Sequence, residues 1–287
     1  MRIFCKILKV TGFVLLAVVM GLSLLIAFAA AFFSVADGVV DLTARTLPSY
    51  ARESISETLA KAEWTEEDYD FLYRQTGLGR SALDEMKEDP ARILTFQDAL
   101  FYDGELEHQQ VAFTTRRDVF ADSYRAPIVD LQDGDVLVTS TCHTFGWRNG
   151  HAAIVVDGKG GNTLESVSLG TPSVVSYGGS NWFRSGTNFM VLRLKDATAE
   201  ERAAIAATAE ERLHGVDYSI TVGILSPKDQ GETPKETHCS HLVWQAFHYY
   251  GYDIDSDGGA VCTTRDIANC DLFEVVQVFG FDPIELW

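Results

Sequence analysis

Cys239 opens the segment THCSHLVWQAFHYYG, Thr237 to Gly251, at the start of an amphipathic helical pattern. A helix start presents backbone N–H groups with no intrahelical acceptor and the positive end of the macrodipole, so a thiolate there is stabilised. At 100° per residue Leu242, Val243, Ala246, Phe247 and Tyr250 form one apolar arc centred on the direction of Cys239, and the sulfur is expected to face inward. His241, Gln245 and His248 fall on the opposite, solvated face. A thiol nucleophile needs a base. His151, which begins the strand-like run HAAIVVD, can take the thiol proton and later deliver it to a leaving group. Glu165, in NTLESVS on the next strand-like run, is within reach of the second ring nitrogen, because neighbouring strands lie about 5 Å apart.

Each of these residues also has a plain structural reading: a buried thiol, an edge-of-strand histidine, a surface carboxylate. A metal site is a further alternative. His238, His241 and His248 share one helix, and Cys142 and His143 lie near His151 in sequence. Neither HExxH nor paired CxxC occurs, so no metal and no cofactor is assigned. DIDSDGG, Asp253 to Gly259, imitates the start of a calcium loop, but its twelfth position is Thr264, where such a loop carries Glu. It reads as a solvated turn.

The elements that must position Cys239 and His151 are legible from periodicity. GDVLVTST, HAAIVVD, NTLESVSL, NFMVLRLKD and FEVVQVFG are short, β-branched runs bounded by Gly, Asn and Asp, and read as strands. DATAEERAAIAATAEERLHG reads as a helix, with Thr198 and Glu201 in capping-box relation and Gly215 ending it; a short helix follows near TTRDIANC. Residues 128–287 are therefore expected to form an α+β domain with a central antiparallel sheet packed on helices. Residues 37–127 read as a helical stalk or subdomain, with a capping box in TEED, Thr65 to Asp68, and RSALDEM and ARILTFQDALF continuing the pattern.

Residues 1–36 are expected to form a transmembrane anchor or a signal sequence. Val10 to Ala36 carry no charge, a run long enough to span a bilayer. Arg2, Lys6 and Lys9 precede it and Asp37 and Asp41 follow, which predicts a single pass with the amino terminus inside and the bulk outside. Ser34-Val35-Ala36 resembles a cleavage site, so secretion after cleavage is the alternative. The formal charge of −18 disfavours nucleic-acid partners. Four cysteines follow the apolar run, and Cys262 and Cys270 are the nearest candidates for a disulfide. Oligomeric state is not read from the sequence.

Taken together, GDVLVTST, GHAAIVVD, LES, GVDYS, HCSHLVWQAF and DIDSDGG resemble the circularly permuted branch of the NlpC-type papain-like cysteine hydrolases, the YiiX/YebB-like group. The resemblance covers about residues 130 to 283. It implies a permuted papain-like fold, with Cys239 as nucleophile, His151 as base and Glu165 as the orienting residue. It also implies that Tyr218 lines the site, and Tyr218 or His238 is expected to supply a second oxyanion donor beside the Cys239 N–H. The family mostly cuts amide bonds in cell-wall stem peptides, which implies a peptide or cell-wall substrate met at a bacterial membrane. Permuted relatives include acyltransferases and lipid or thioester hydrolases, so those activities and a non-catalytic surface binding module stand as alternatives.

Overall fold

The structure is a computed structural model that describes residues 2–38, 45–112, 115–144, 146–285 and 287. Asp41, used above for topology, lies outside them. The long helix α1 (Arg2–Gly38) contains Thr11–Phe32, a stretch long and apolar enough to cross a membrane and with none of its window buried against the rest of the chain. Four helices follow: α2 (Ser56–Leu59), α3 (Glu66–Thr76), α4 (Arg80–Glu85) and α5 (Pro90–Leu100). The Thr65 capping box forms as expected, with Thr65 and Asp68 bonding reciprocally. Asp89 caps α5, whose first residue is Pro90, a proline placed where its missing N–H costs nothing.

The chain then departs from its helical expectation. Residues expected as part of the helical segment form a hairpin, β1 (Leu106–Gln110) with β2 (Thr115–Phe120), and β2 pairs with β4 (Cys142–Thr144) in a three-stranded sheet. The remaining strands are β3 (Val136–Thr139), β5 (His151–Asp157), β6 (Asn162–Glu165), β7 (Val174–Ser176), β8 (Phe189–Leu194), β9 (Asp217–Tyr218), β10 (Glu236–Thr237) and β11 (Phe273–Phe279). Among them run α6 (Ser180–Arg184), α7 (Ala199–Leu213), α8 (Cys239–His248) and α9 (Thr264–Ala268). The expected central sheet is present, ordered β11-β8-β3-β5-β6-β7 with every neighbouring pair antiparallel.

Strand alternation divides the core. Val136, Val138, Ala152, Ile154, Met190 and Leu192 face α7 and α8, while Leu137, Ala153, Val155, Phe189 and Val191 face the other way, against Leu72, Leu83, Ile93 and Phe96 of α3 to α5. Helices expected as a stalk thus cover the second face of the sheet. The reason is physical: a sheet whose strands are apolar on both faces must be covered on both, and α7 and α8 cover only one.

Two further expectations change. Cys262 and Cys270, which flank α9 in the chain, are both free thiols buried in the core and form no disulfide. The face of α8 expected to be solvated is covered: His241 and Gln245 are buried. His241 bonds Thr237 Oγ1 at 2.8 Å and the Lys228 carbonyl at 2.7 Å, and the Gln245 carbonyl oxygen accepts from Gln230 N at 3.0 Å. The acidic turn takes part in that cover, since Asp253 accepts from Trp244 Nε1 at 2.8 Å and Lys228 bonds Asp255.

A core shared between helices and sheet has a measurable consequence. Leu137→Ala, on the face packed by α3 to α5, is expected to lower stability by about 2–5 kcal/mol in denaturant unfolding of the full chain in detergent. Loss of helical signal well before loss of the sheet would contradict the shared core.

Candidate active site

Gly150 precedes His151 with φ +66°, a left-handed conformation that favours glycine. A Cβ there would lie 2.5 Å from the Thr139 carbonyl oxygen and 2.6 Å from Thr264 Oγ1. That close approach fixes where β5 begins, and His151 is its first residue, paired in register with Thr139. By parity His151 belongs to the face of Ala153 and Val155, away from α8. Its ring nevertheless interacts with the Cys239 side chain, because each is the first residue of its element and the two meet at the end of the strand instead of through the sheet.

His151 Nε2 lies 2.8 Å from Glu165 Oε2, with both side chains buried. Since Nε2 is engaged by the carboxylate, Nδ1 is the nitrogen left for the sulfur. Glu165 Oε1 accepts from Thr163 Oγ1 at 2.5 Å, so both carboxylate oxygens are held. Phe183 stacks on the imidazole at 5.8 Å and Trp182 meets it edge-on at 5.2 Å, which fixes the ring plane.

His238 is the N-cap of α8, where its Nδ1 accepts from His241 N at 3.3 Å. An accepting Nδ1 leaves the ring proton on Nε2, and the ring also interacts with the Cys239 side chain. Cys239 is 9% exposed, enclosed but reachable.

Burial by itself would raise the Cys239 thiol pKa, but the interactions with His151 and His238 outweigh it and bring it down to about 5. For His151 burial acts downward and is outweighed by the bonds to Cys239 and Glu165, which raise it to about 10. Glu165 is held below the usual carboxylate range: burial pushes it up, and the bonds and charge of His151 more than reverse that. The arrangement is a thiolate beside an imidazolium beside a carboxylate. It can act as a nucleophile with a proton donor, the imidazolium, standing next to it.

Tyr218 lies in β9, paired with Thr237 two residues before Cys239. Burial, followed by the charge of Cys239, raises its phenol pKa. The five residues singled out by sequence are therefore gathered at one end of the sheet. Of the alternative metal ligands, His241 and His248 are turned into the α8 cover, and His143 joins a separate cluster with His108 and Asp118.

Two neighbours, Gly179 and Arg117, carry no signal in the sequence, and a third, Cys142, is marked there only as an alternative metal ligand. Gly179 lies against the carboxylate, where a Cβ would stand 2.0 Å from Thr163 Oγ1 and 2.7 Å from Glu165 Oε1. Arg117 stacks 4.6 Å over Trp182, the ring that meets His151, and bonds the Trp182 carbonyl at 2.9 Å. Cys142, beside Arg117 and in the field of Cys239, is pushed up by burial to about 12, so it stays a thiol. Arg117 and Cys142 sit on the hairpin sheet, whose strands were not all expected, and Gly179 in a turn whose packing is non-local.

No family model matches the chain, and no curated protein matches it. A solved structure, that of the metalloprotein yiiX from Escherichia coli O157:H7, aligns with a TM-score of 0.40 at 14% identity, covering 51% of this chain and 97% of that one.

Two outcomes follow from the geometry. Alkylation of Cys239 by iodoacetamide is expected to be nearly independent of pH from 8 down to 6. It should fall as the thiolate is protonated near pH 5, whereas an ordinary thiol loses about tenfold per unit below about 8.5. A wild-type rate that rises tenfold per unit between pH 6 and 8 would contradict the thiolate. Gly179→Ala is expected to displace Glu165 and move the inflection of the same profile, with the circular dichroism spectrum unchanged.

Proposed function

We propose that this chain is a cysteine hydrolase that works through an acyl-enzyme, with Cys239 as nucleophile, His151 as acid and base and Glu165 as the residue that orients His151. The single observation that carries this reading is the buried relay from Cys239 through His151 to Glu165, closed by the 2.8 Å bond. The chain order also supports it. The histidine strand precedes the cysteine helix, as in the permuted papain-like arrangement that the sequence motifs resemble.

In the proposed mechanism the Cys239 thiolate attacks the substrate carbonyl carbon and the carbonyl π electrons move to oxygen. The Cys239 N–H, at the first position of α8, has no intrahelical acceptor and is the donor offered to that oxyanion. His238 or Tyr218 supplies a second donor. His151 gives its proton to the leaving group, then takes one from water as the hydroxide attacks the thioester, which returns the thiolate.

An amide bond in cell-wall peptides is the proposed substrate. α1 is read as a retained anchor with its amino terminus inside, supported by Arg2, Lys6 and Lys9 ahead of the apolar stretch, and this holds the site at the outer face where such peptides lie. One observation favours a lipid acyl substrate as a second reading. Loops that follow or precede the site residues expose large apolar side chains: Leu169 after Glu165, Ile224 and Leu225 after Tyr218, and Trp147 before His151, from 67% to 81% exposed.

With the full chain in detergent, Cys239→Ala is expected to abolish hydrolysis of the true substrate class, and His151→Ala to lower kcat/KM by about 10²–10⁴. Full activity in Cys239→Ala would overturn the reading. Assaying stem peptides beside acyl esters of long chain length separates the two substrates. Ile224→Ser with Leu225→Ser should raise KM for the acyl ester and leave the peptide unaffected.

A further inference from the structure

Away from the thiol, the small sheet brings three metal-ligating side chains to one point. His108 in β1 is paired in register with Asp118 in β2. His143 in β4 is paired with Arg116, two residues from Asp118 and so on the same face. Asp118 and His143 are fully buried, and the His108 side chain keeps 19% exposure. We propose that His108 Nδ1, Asp118 Oδ1 and His143 Nε2 form a binding site for a divalent transition metal of the zinc class, with three protein ligands and a fourth position open toward His108.

The distances suit a metal better than a hydrogen-bond network alone. His108 Nδ1 lies 2.9 Å and His143 Nε2 3.6 Å from the same oxygen, Asp118 Oδ1. The second separation is too long for an N–H···O bond. A tetrahedral zinc with ligands near 2.0–2.1 Å sets its donors about 3.3 Å apart, between the two observed values. All three donor atoms lie within 4.8 Å of one another. The imidazole rings stand 5.0 Å apart at 69°, an angle that lets both aim a nitrogen at a common point.

Asp118 is already oriented for a single contact. Arg148 takes its other oxygen, Oδ2, at 2.7 Å, which leaves Oδ1 to the two rings and fixes the carboxylate plane, as outer partners of metal ligands do. The guanidinium charge opposes a cation here and lowers affinity, and two neutral imidazoles with one carboxylate remain a zinc donor set.

The position also gives the site something to hold. Successive residues of a strand point to opposite faces, so His143 and Asp118 face the metal while their neighbours Cys142 and Arg117 face the catalytic thiol and Trp182. A metal tying β1, β2 and β4 would stiffen the wall that carries Arg117. The other acidic cluster, Asp255, Asp257 and Asp266, is differently occupied: Lys228 bonds Asp255, and Asp266 completes the capping box of α9.

The test is zinc and cobalt binding to the chelator-stripped full chain in detergent, by equilibrium dialysis and by the visible cobalt spectrum. One equivalent per chain is expected, with the intense absorption of a four-coordinate cobalt site. His108→Ala and the milder His108→Gln, both at the part-exposed ligand, should weaken binding by more than about tenfold. Cys239→Ala and Asp257→Ala should bind as the wild type does. Absence of stoichiometric binding by the wild type would overturn the proposal. So would wild-type affinity in a folded His108 variant, or loss of binding in Cys239→Ala, which would move the metal to the thiol. Because the Cys239 alkylation profile is read separately, failure here leaves the hydrolase reading standing.

Discussion

A buried thiolate is unfavourable unless a positive partner is buried with it, and that requirement governs this structure. Burial acts against the charged form of both Cys239 and His151, and each is the other's compensation. Two groups that stabilise each other only in direct contact demand a scaffold that cannot drift. Glu165 serves that demand by holding the second ring nitrogen, and Thr163 serves it by holding Glu165. Phe183 and Trp182 add no charge but confine the ring.

The scaffold meets this through its layers. α8 is buried all round from Cys239 to Phe247, so its first turn cannot rotate without disturbing the core on one side or the Lys228–Gln230 cover on the other. β5 lies near the middle of the six-stranded sheet, with β3 and β6 as neighbours and helices on both faces. Moving His151 relative to Cys239 would mean sliding a central strand, at the cost of its ladder bonds. The buried bidentate pair of Arg193 with Asp135 braces the same sheet from β8 to the residue before β3.

Residues with local signals were readable directly. The Thr65 box and the helix start at Cys239 depend on contacts within four residues and formed as the sequence implies, whereas only half of the Thr198 box forms: Thr198 Oγ1 accepts from Glu201 N, and the Glu201 carboxylate accepts from the Tyr252 hydroxyl instead. The five strands read from β-branched runs are likewise present. The hairpin at 106–120 was missed because LEHQQ and TRRDVF carry almost no apolar alternation; their partners are each other and β4, all decided by pairing at a distance. The buried back of α8 was missed for the same kind of reason, since periodicity reports polarity and not what a loop covers. Cys262 and Cys270 look like a pair by spacing, yet both stay free thiols in the core that α7 and α8 share with the sheet, with α9 between them in the chain.

Sequence alone determined the chemical types: a cysteine at a helix start, a histidine at a strand start, a carboxylate on the next run and an apolar helix ahead of them, because each is written in a few adjacent residues. Tertiary structure decided which of those atoms touch. The Cys239–His151 contact joins residues far apart in the chain, and closing so long a loop is settled by packing energy gathered over the whole sheet. The same is true of Gly179 under Glu165, of Arg117 over Trp182, and of the two histidines around Asp118, none of which has a local pattern to announce it.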